Sequence, residues 1–167
     1  MTETQSLAIR TAFTVGIAAS AIQAGITIAT SSLFIPAILQ CPNKTLMVSQ
    51  WRSIFNKGII YGPPLGIIAC ANLLYVAYSA HAIGARERSI GFAIAAASQF
   101  AIIPFTLATL MGTNSQLLKE SERRGKEEGG LREGQVRNLM TKWGRLNGVR
   151  SLGPLGATLI ALWTASR

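Results

Sequence analysis

The sequence predicts an all-α fold, an integral membrane four-helix bundle, and three observations carry that prediction. Hydrophobic residues make up 49% of the chain and charged ones only 14%. The charges are clustered: stretches 11–43, 58–85 and 89–118 contain no Asp, Glu, Lys or Arg. Each exceeds the ~20 apolar residues that cross a hydrocarbon core. A fourth apolar run, Ser151 to Ser166, is shorter, but the amphipathic stretch ahead of it can lengthen its helix. A soluble domain of 167 residues has no use for three such runs. The expectation is one transmembrane domain over 1–167, with spans near 9–39, 58–82, 90–112 and 147–166. The two longer loops then fall near 40–57 and 113–146.

A net charge of +9 would point a soluble chain toward nucleic acid. In a membrane protein its distribution matters more than its sum. With four spans, both termini and the turn around Arg86 and Arg88 share one side. That side holds Arg10, Arg86, Arg88 and Arg167, and the other holds the remaining twelve of the sixteen Lys and Arg. Basic residues concentrate on the cytosolic side. The loops at 40–57 and 113–146 are therefore expected in the cytosol, with the termini lumenal or external. The basic excess reads as topology and contact with anionic membrane lipid, and nucleic acid is not an expected partner.

The first span is too long in its uncharged core for the ~7–15-residue apolar region of a signal peptide, so a retained anchor is expected. Gly16, Ala19, Ser20, Ala24 and Gly25 suit close helix packing in lipid. Ser31, Ser32 and Pro36 mark its cytosolic end. Cys41 lies beyond this span and Cys70 inside the next, which gives no CxxC spacing and no expected structural disulfide.

The second span is preceded by Trp51 and Lys57, and Pro63 and Pro64 fit a first helical turn or a kink. Tyr61, Leu65, Ile68, Asn72, Tyr75 and Ser79 recur at steps of three and four. This polar-aromatic stripe is expected to face the bundle interior, since lipid offers no hydrogen bonds. Gln23, Asn72 and Gln99 each sit near mid-span, so a midplane cluster of three amides is expected. His81, the one histidine, invites reading as a base. It falls ~180° round the helix from Asn72, at the end away from Arg150. An interfacial role beside Arg86 and Arg88 is its other reading.

In the third span Pro104 implies a kink. From Glu120 to Glu133 the chain is charged and Gly-interrupted, without an apolar face, and is expected to be a flexible cytosolic loop. The stretch that follows is the most informative. On a helix of ~100° per residue, Trp143, Asn147 and Arg150 fall on one face. Val136, Leu139, Met140 and Leu146 share that face, while Arg137, Lys142 and Arg145 point away. An Arg in a buried stripe is costly unless paired, so Arg150 is either tied structurally or kept for a ligand.

The chain contains no Asp, and its Glu residues lie in tails and loops. Two-carboxylate acid–base chemistry, a Ser-His-Asp arrangement and a metal site are therefore not expected. Phosphate-binding and dinucleotide fingerprints are absent. Because the spans alternate in direction, Pro36, Trp51, Tyr61, Thr113, Asn114, Trp143, Asn147 and Arg150 all fall at the cytosolic end. Aromatic walls, a few amide and hydroxyl groups and one cation make the pattern of a ligand-binding mouth.

Pro104-Phe105-Thr106, Met111, Thr113-Asn114 and Leu117 resemble the fungal anthrone oxygenase family. So do Lys142-Trp143, Leu146-Asn147 and Val149-Arg150-Ser151, together with Pro36, Trp51, Gly58 and Pro63 or Pro64. The resemblance implies oxidation of an aromatic polyketide, an anthrone, to an anthraquinone by O2, with no cofactor, in the endoplasmic reticulum or a related endomembrane. It implies stacking on Trp143, Trp51 and Tyr61, with Thr113, Asn72 and Thr106 lining the same ligand. Arg150, with Asn147 and Asn114, would hold the developing oxyanion, and Tyr61 or His81 would act as base. A small non-enzymatic membrane protein that binds a lipid, a quinone-like ligand or a partner at the same mouth is the competing reading. A transporter subunit is a weaker one, as no acidic residue lies within the spans. Oligomeric state stays open, a homo-oligomer included.

Overall fold

The computed structural model describes residues 3–123 and 130–167. Helix α1 (Glu3–Ile38), α2 (Lys44–Ala82) and α3 (Arg86–Glu122) are each long and apolar enough to cross a membrane. At ~1.5 Å per residue they run for about 55 Å, well beyond a hydrocarbon core of ~30 Å. Helix α4 (Glu133–Arg150) and α5 (Leu152–Ser166) follow, separated at Ser151. No strand is present among the described residues. The chain is an all-α membrane protein, as its uncharged runs require. Part of the expected 120–133 loop, residues 124–129, lies outside the described residues.

Local sequence explains most boundaries. The Asn43 side chain accepts a bond from the Leu46 amide at 3.1 Å, capping α2 at its start. Residues 44–57, assigned to a loop from the sequence, are therefore helical. Pro63 and Pro64 consequently fall in mid-helix rather than in a first turn. Helix α2 ends where Gly84 takes φ +76° and its amide donates to His81 O at 2.9 Å, a left-handed stop that favours glycine. The fourth apolar run is a 15-residue helix, about 22 Å long. Pro154 removes an amide from its first turn, which accounts for the break at Ser151.

Two wide helical turns interrupt α1 and α3, at Thr30–Phe34 and Thr106–Leu110. In the first, the Ile35 amide reaches back five residues to Thr30 O. Pro36 lies two residues beyond it and Pro104 two residues before the second, each withdrawing an amide from the regular ladder. Such turns concentrate at functional sites.

The chain forms two compact units, and α1, α2 and α3 contribute to both. The first comprises residues 1–25, 62–103 and 151–167. Its core is small-residue packing around Ala12, Leu73, Val76, Phe92, Ala95, Ala157 and Ala161. A Cβ on Gly91 would sit 2.3 Å from Thr164 Oγ1, and one on Gly153 would sit 3.0 Å from Ser98 O. Glycine thus lets α3 and α5 approach backbone to backbone, the usual basis of helix association in lipid. The expected polar-aromatic stripe of α2 does not face inward. Tyr75 and Ile68 are exposed, while Ala69, Leu73, Val76 and Ala80 are buried. In lipid the outer face is free to be as apolar or aromatic as the core, so small size decides which face packs.

The amide cluster does form, with one member exchanged. Gln99 Nε2 donates to Gln23 Oε1 at 2.5 Å, and Gln23 Nε2 donates to Gly62 O at 3.0 Å. Ser20 Oγ lies 2.8 Å from both Gln99 Oε1 and Pro154 O. Asn72 instead donates to Ile68 O of its own helix at 2.8 Å. A short Asn side chain reaches its own i−4 carbonyl, which removes the need for an interhelical partner.

The second unit comprises residues 26–61 and 104–150. Its core is built from larger side chains, among them Ile35, Met47, Trp51, Leu110, Leu117, Val136, Met140 and Trp143. It carries every Lys and Arg of the chain except Arg10, Arg86, Arg88 and Arg167.

Candidate functional site

The second unit gathers most of the residues singled out in the sequence. On α4, Val136, Met140, Trp143 and Asn147 are all buried, the 3.6-residue period expected of its apolar face. Leu139 and Leu146 are half-buried at its margin, and Lys142 and Arg145 are exposed. Trp143 Nε1 donates to Asn114 Oδ1 on α3 at 2.7 Å. Its ring meets Trp51 edge-on, centroids 5.9 Å apart at 87°. Trp51 in turn stacks on Phe55 at 4.9 Å. The helical start at Lys44 is what fixes Trp51 in this place, on an ordered face rather than in a loop.

One turn beyond Trp143, Asn147 joins α4 to the wide turn of α1. Its Nδ2 donates to Thr27 O at 3.2 Å and to Ser31 Oγ at 2.9 Å. Its Oδ1 accepts a 2.6 Å bond from Arg150 Nη2. Asn147 is 1% exposed and its amide is fully engaged, so it acts as an orienting group for the guanidinium.

Two donors in this unit are left over. Trp51 Nε1 and Arg150 Nε are buried with no hydrogen-bond partner among the described residues. An unmet buried donor costs ~1–3 kcal/mol, and more when charged. The unit tolerates two of them, one cationic. Arg150 is therefore only partly tied: Asn147 holds one nitrogen and leaves another unmet.

Other predicted residues are placed as follows. Thr113 is buried beside Asn114 on α3, and Thr106 is half-buried in the second wide turn. Tyr61 belongs to the same unit but is 59% exposed. Asn72 and His81 belong to the first unit, with His81 exposed in the last turn of α2. The sequence reading missed the two clasps around the site. Arg137, expected to point outward, donates to Leu39 O and Cys41 O and pairs with Glu133 at 2.7 Å. It caps the carbonyl end of α1, where a cation is favoured. Glu120 is buried, pairs with Lys44 at 2.9 Å and accepts from the Leu131 amide at 3.0 Å. Each clasp joins residues about 75 or more positions apart in sequence, which no local spacing reveals. Among the described residues no three His, Cys, Asp or Glu side chains come together.

The second unit thus holds an Asn147-bound guanidinium with an unmet Nε and a buried indole with an unmet N–H. Fold and site define a helical membrane protein that keeps two unmet buried donors in one of its units.

The chain belongs to the anthrone oxygenase family, whose profile matches residues 51–160. It is 34% identical to the monooxygenase hypC of Dothistroma septosporum, over 78% of this chain and 69% of that one. It is 35% identical to the anthrone oxygenase nsrD of Aspergillus novofumigatus, over 75% of each chain. The anthrone oxygenase encC of Aspergillus fumigatus matches at 28%, over 81% of each. No solved structure matches. The protein is an enzyme of this oxygenase kind.

Proposed function

We propose that this enzyme oxidises a polyketide anthrone to the corresponding anthraquinone with O2, within the endoplasmic reticulum or a related endomembrane and without a metal or organic cofactor. The observation that supports it best is the pair of unmet buried donors, Trp51 Nε1 and Arg150 Nε, in a unit whose polar core contains an oriented guanidinium.

An anthrone is acidic at its methylene because the resulting enolate is delocalised over three rings. A guanidinium beside the enolate oxygen lowers the cost of that charge. The methylene proton is released to solvent, and the enolate passes one electron to O2, giving a carbon radical and superoxide. Their recombination forms a C–O bond, and protonation yields a hydroperoxide on a carbon that still bears hydrogen. Loss of water from that carbon leaves the second carbonyl, so one O2 is consumed and one H2O released. The protein's part is to bind the flat rings, to fix the oxyanion with Arg150, and to hold Arg150 with Asn147. Asn114 serves by fixing Trp143. Thr113 and Thr106 shape the surrounding α3 surface.

The test is turnover by purified protein in detergent, with an anthrone and O2, anthraquinone absorbance being followed against the spontaneous reaction. Arg150→Ala should lower the rate ~10²–10³-fold, the usual cost of one oxyanion donor. Arg150→Lys keeps the charge but loses the planar fork, and should fall between. Lys142→Ala, on the exposed face of the same helix, should match the unaltered enzyme. Normal turnover by a folded, thermally unchanged Arg150→Ala protein would remove the residue from the mechanism.

A further inference from the structure

Beside the donor network, the wide turn of α1 and the face of α4 enclose an open groove of about 340 Å³. That volume lies within the ~300–1,000 Å³ of small-molecule sites. Ser31, Ile35, Pro36, Gly144, Arg145 and Gly148 define it. We propose that this groove is the subsite that takes the ring system of a hydroxylated polycyclic phenol, with Arg145 on its rim as the residue that selects an acidic, phenolate-bearing ligand. The proposal rests on the oxygenase reading for the identity of the ligand, and on the groove itself for the rest.

Three observations carry it. The groove is continuous with the site: Ser31 lines it and also accepts the Asn147 bond that orients Arg150. Its α4 side is free of bulk, because Gly144 and Gly148 stand there at a spacing of four, and Ile35 and Pro36 give it apolar surface. A Cβ on Gly144 would stand 3.0 Å from Ile35 Cγ2, so the Ile35 side chain of α1 packs directly on the bare backbone of α4 there. Such a surface fits a planar ring better than a branched chain. Finally, Arg145 is exposed and makes no ion pair or hydrogen bond with the described residues, unlike Arg137 two turns earlier. A free guanidinium over an apolar surface complements a flat anion, because it offers both charge and stacking.

The experiment uses the full-length protein in detergent. Calorimetric titration compares a hydroxylated anthraquinone with its fully O-methylated counterpart, and anthrone turnover is measured on the same preparations. The unaltered protein should bind the phenol more tightly than the ether. Arg145→Gln should weaken phenol binding about tenfold, abolish that preference, and raise KM with kcat nearly unchanged, because the Arg150 network is untouched. Gly148→Ala places a Cβ 3.6 Å from Ser31 Cβ, an ordinary contact that leaves the fold intact, and should weaken both ligands by narrowing the groove. Lys142→Gln should change neither. If Arg145→Gln retains the phenol preference and its KM while the enzyme turns over normally, the groove proposal is overturned and the oxygenase reading stands. If no anthrone is oxidised yet Arg145-dependent phenol binding persists, the oxygenase reading falls and the groove remains.

Discussion

Trp51 shows most clearly what a single residue contributes here. Its ring is fully buried, stacked on Phe55 and edge-on to Trp143, yet its N–H has no partner among the described residues. A buried indole ordinarily finds an acceptor. Trp51→Phe keeps most of the apolar contact and deletes only the donor and one ring. If that donor meets substrate oxygen, turnover should fall by about ten- to a hundredfold. If it is merely an unmet group, its removal should leave turnover unchanged and should not lower the melting temperature beyond the cost of the lost volume. Melting and turnover measured together on this variant separate the two. Trp143, Asn147 and Arg150 were legible in the sequence as one helical face, because burial periodicity is local. The partners that give them meaning, Thr27, Ser31 and Asn114, were not equally legible. They lie 29 to 120 positions away, and a backbone carbonyl such as Thr27 O carries no sequence signature at all.

Among the helices, the sequence reading succeeded where polarity decides and failed where size does. The uncharged runs gave α1, α2 and α3, and the mid-span glutamines were recognised as interhelical partners. The inward face of α2 was misread because its tyrosines and Asn72 looked as though they needed partners. In lipid, Ala69, Leu73, Val76 and Ala80 make the better contact, and Asn72 satisfies itself. The polar joint among α1, α2, α3 and α5 in the first unit is instead Gln23–Gln99–Ser20, and its energetics can be measured. Gln99→Leu leaves Gln23 Oε1 without its donor and takes an acceptor from Ser20, so it should destabilise by about 1–3 kcal/mol. Gln23→Leu should cost a similar amount. The double variant replaces the contact by an apolar one and should cost clearly less than the two single changes together. Thermal melts of the three variants in one detergent measure this. Strict additivity would mean that the Gln23–Gln99 bond is not a coupled element of the fold.

At the scale of the whole molecule, charge is the organising feature. The first unit contains Arg10, Arg86, Arg88 and Arg167, and the second contains all the other Lys and Arg. The spacing of charges groups the same residues, since each apolar run separates one group from the next. Three helices of 36, 39 and 37 residues exceed a hydrocarbon core by more than 20 Å, so each has length to spare outside it. The basic excess predicts that the second unit faces the cytosol, because positively charged segments resist translocation. In sealed microsomes the cytosolic face is outermost. An epitope inserted between Gly125 and Gly129 should therefore be destroyed by added protease without detergent, while epitopes at either terminus survive until the membrane is dissolved. Exchanging Arg86 and Arg88 for Gln should strengthen the bias and leave the pattern unchanged. An internal epitope protected by the intact vesicle, with both termini digested, would invert the topology. It would also place the Arg150 network, and the anthrone it is proposed to meet, on the lumenal side.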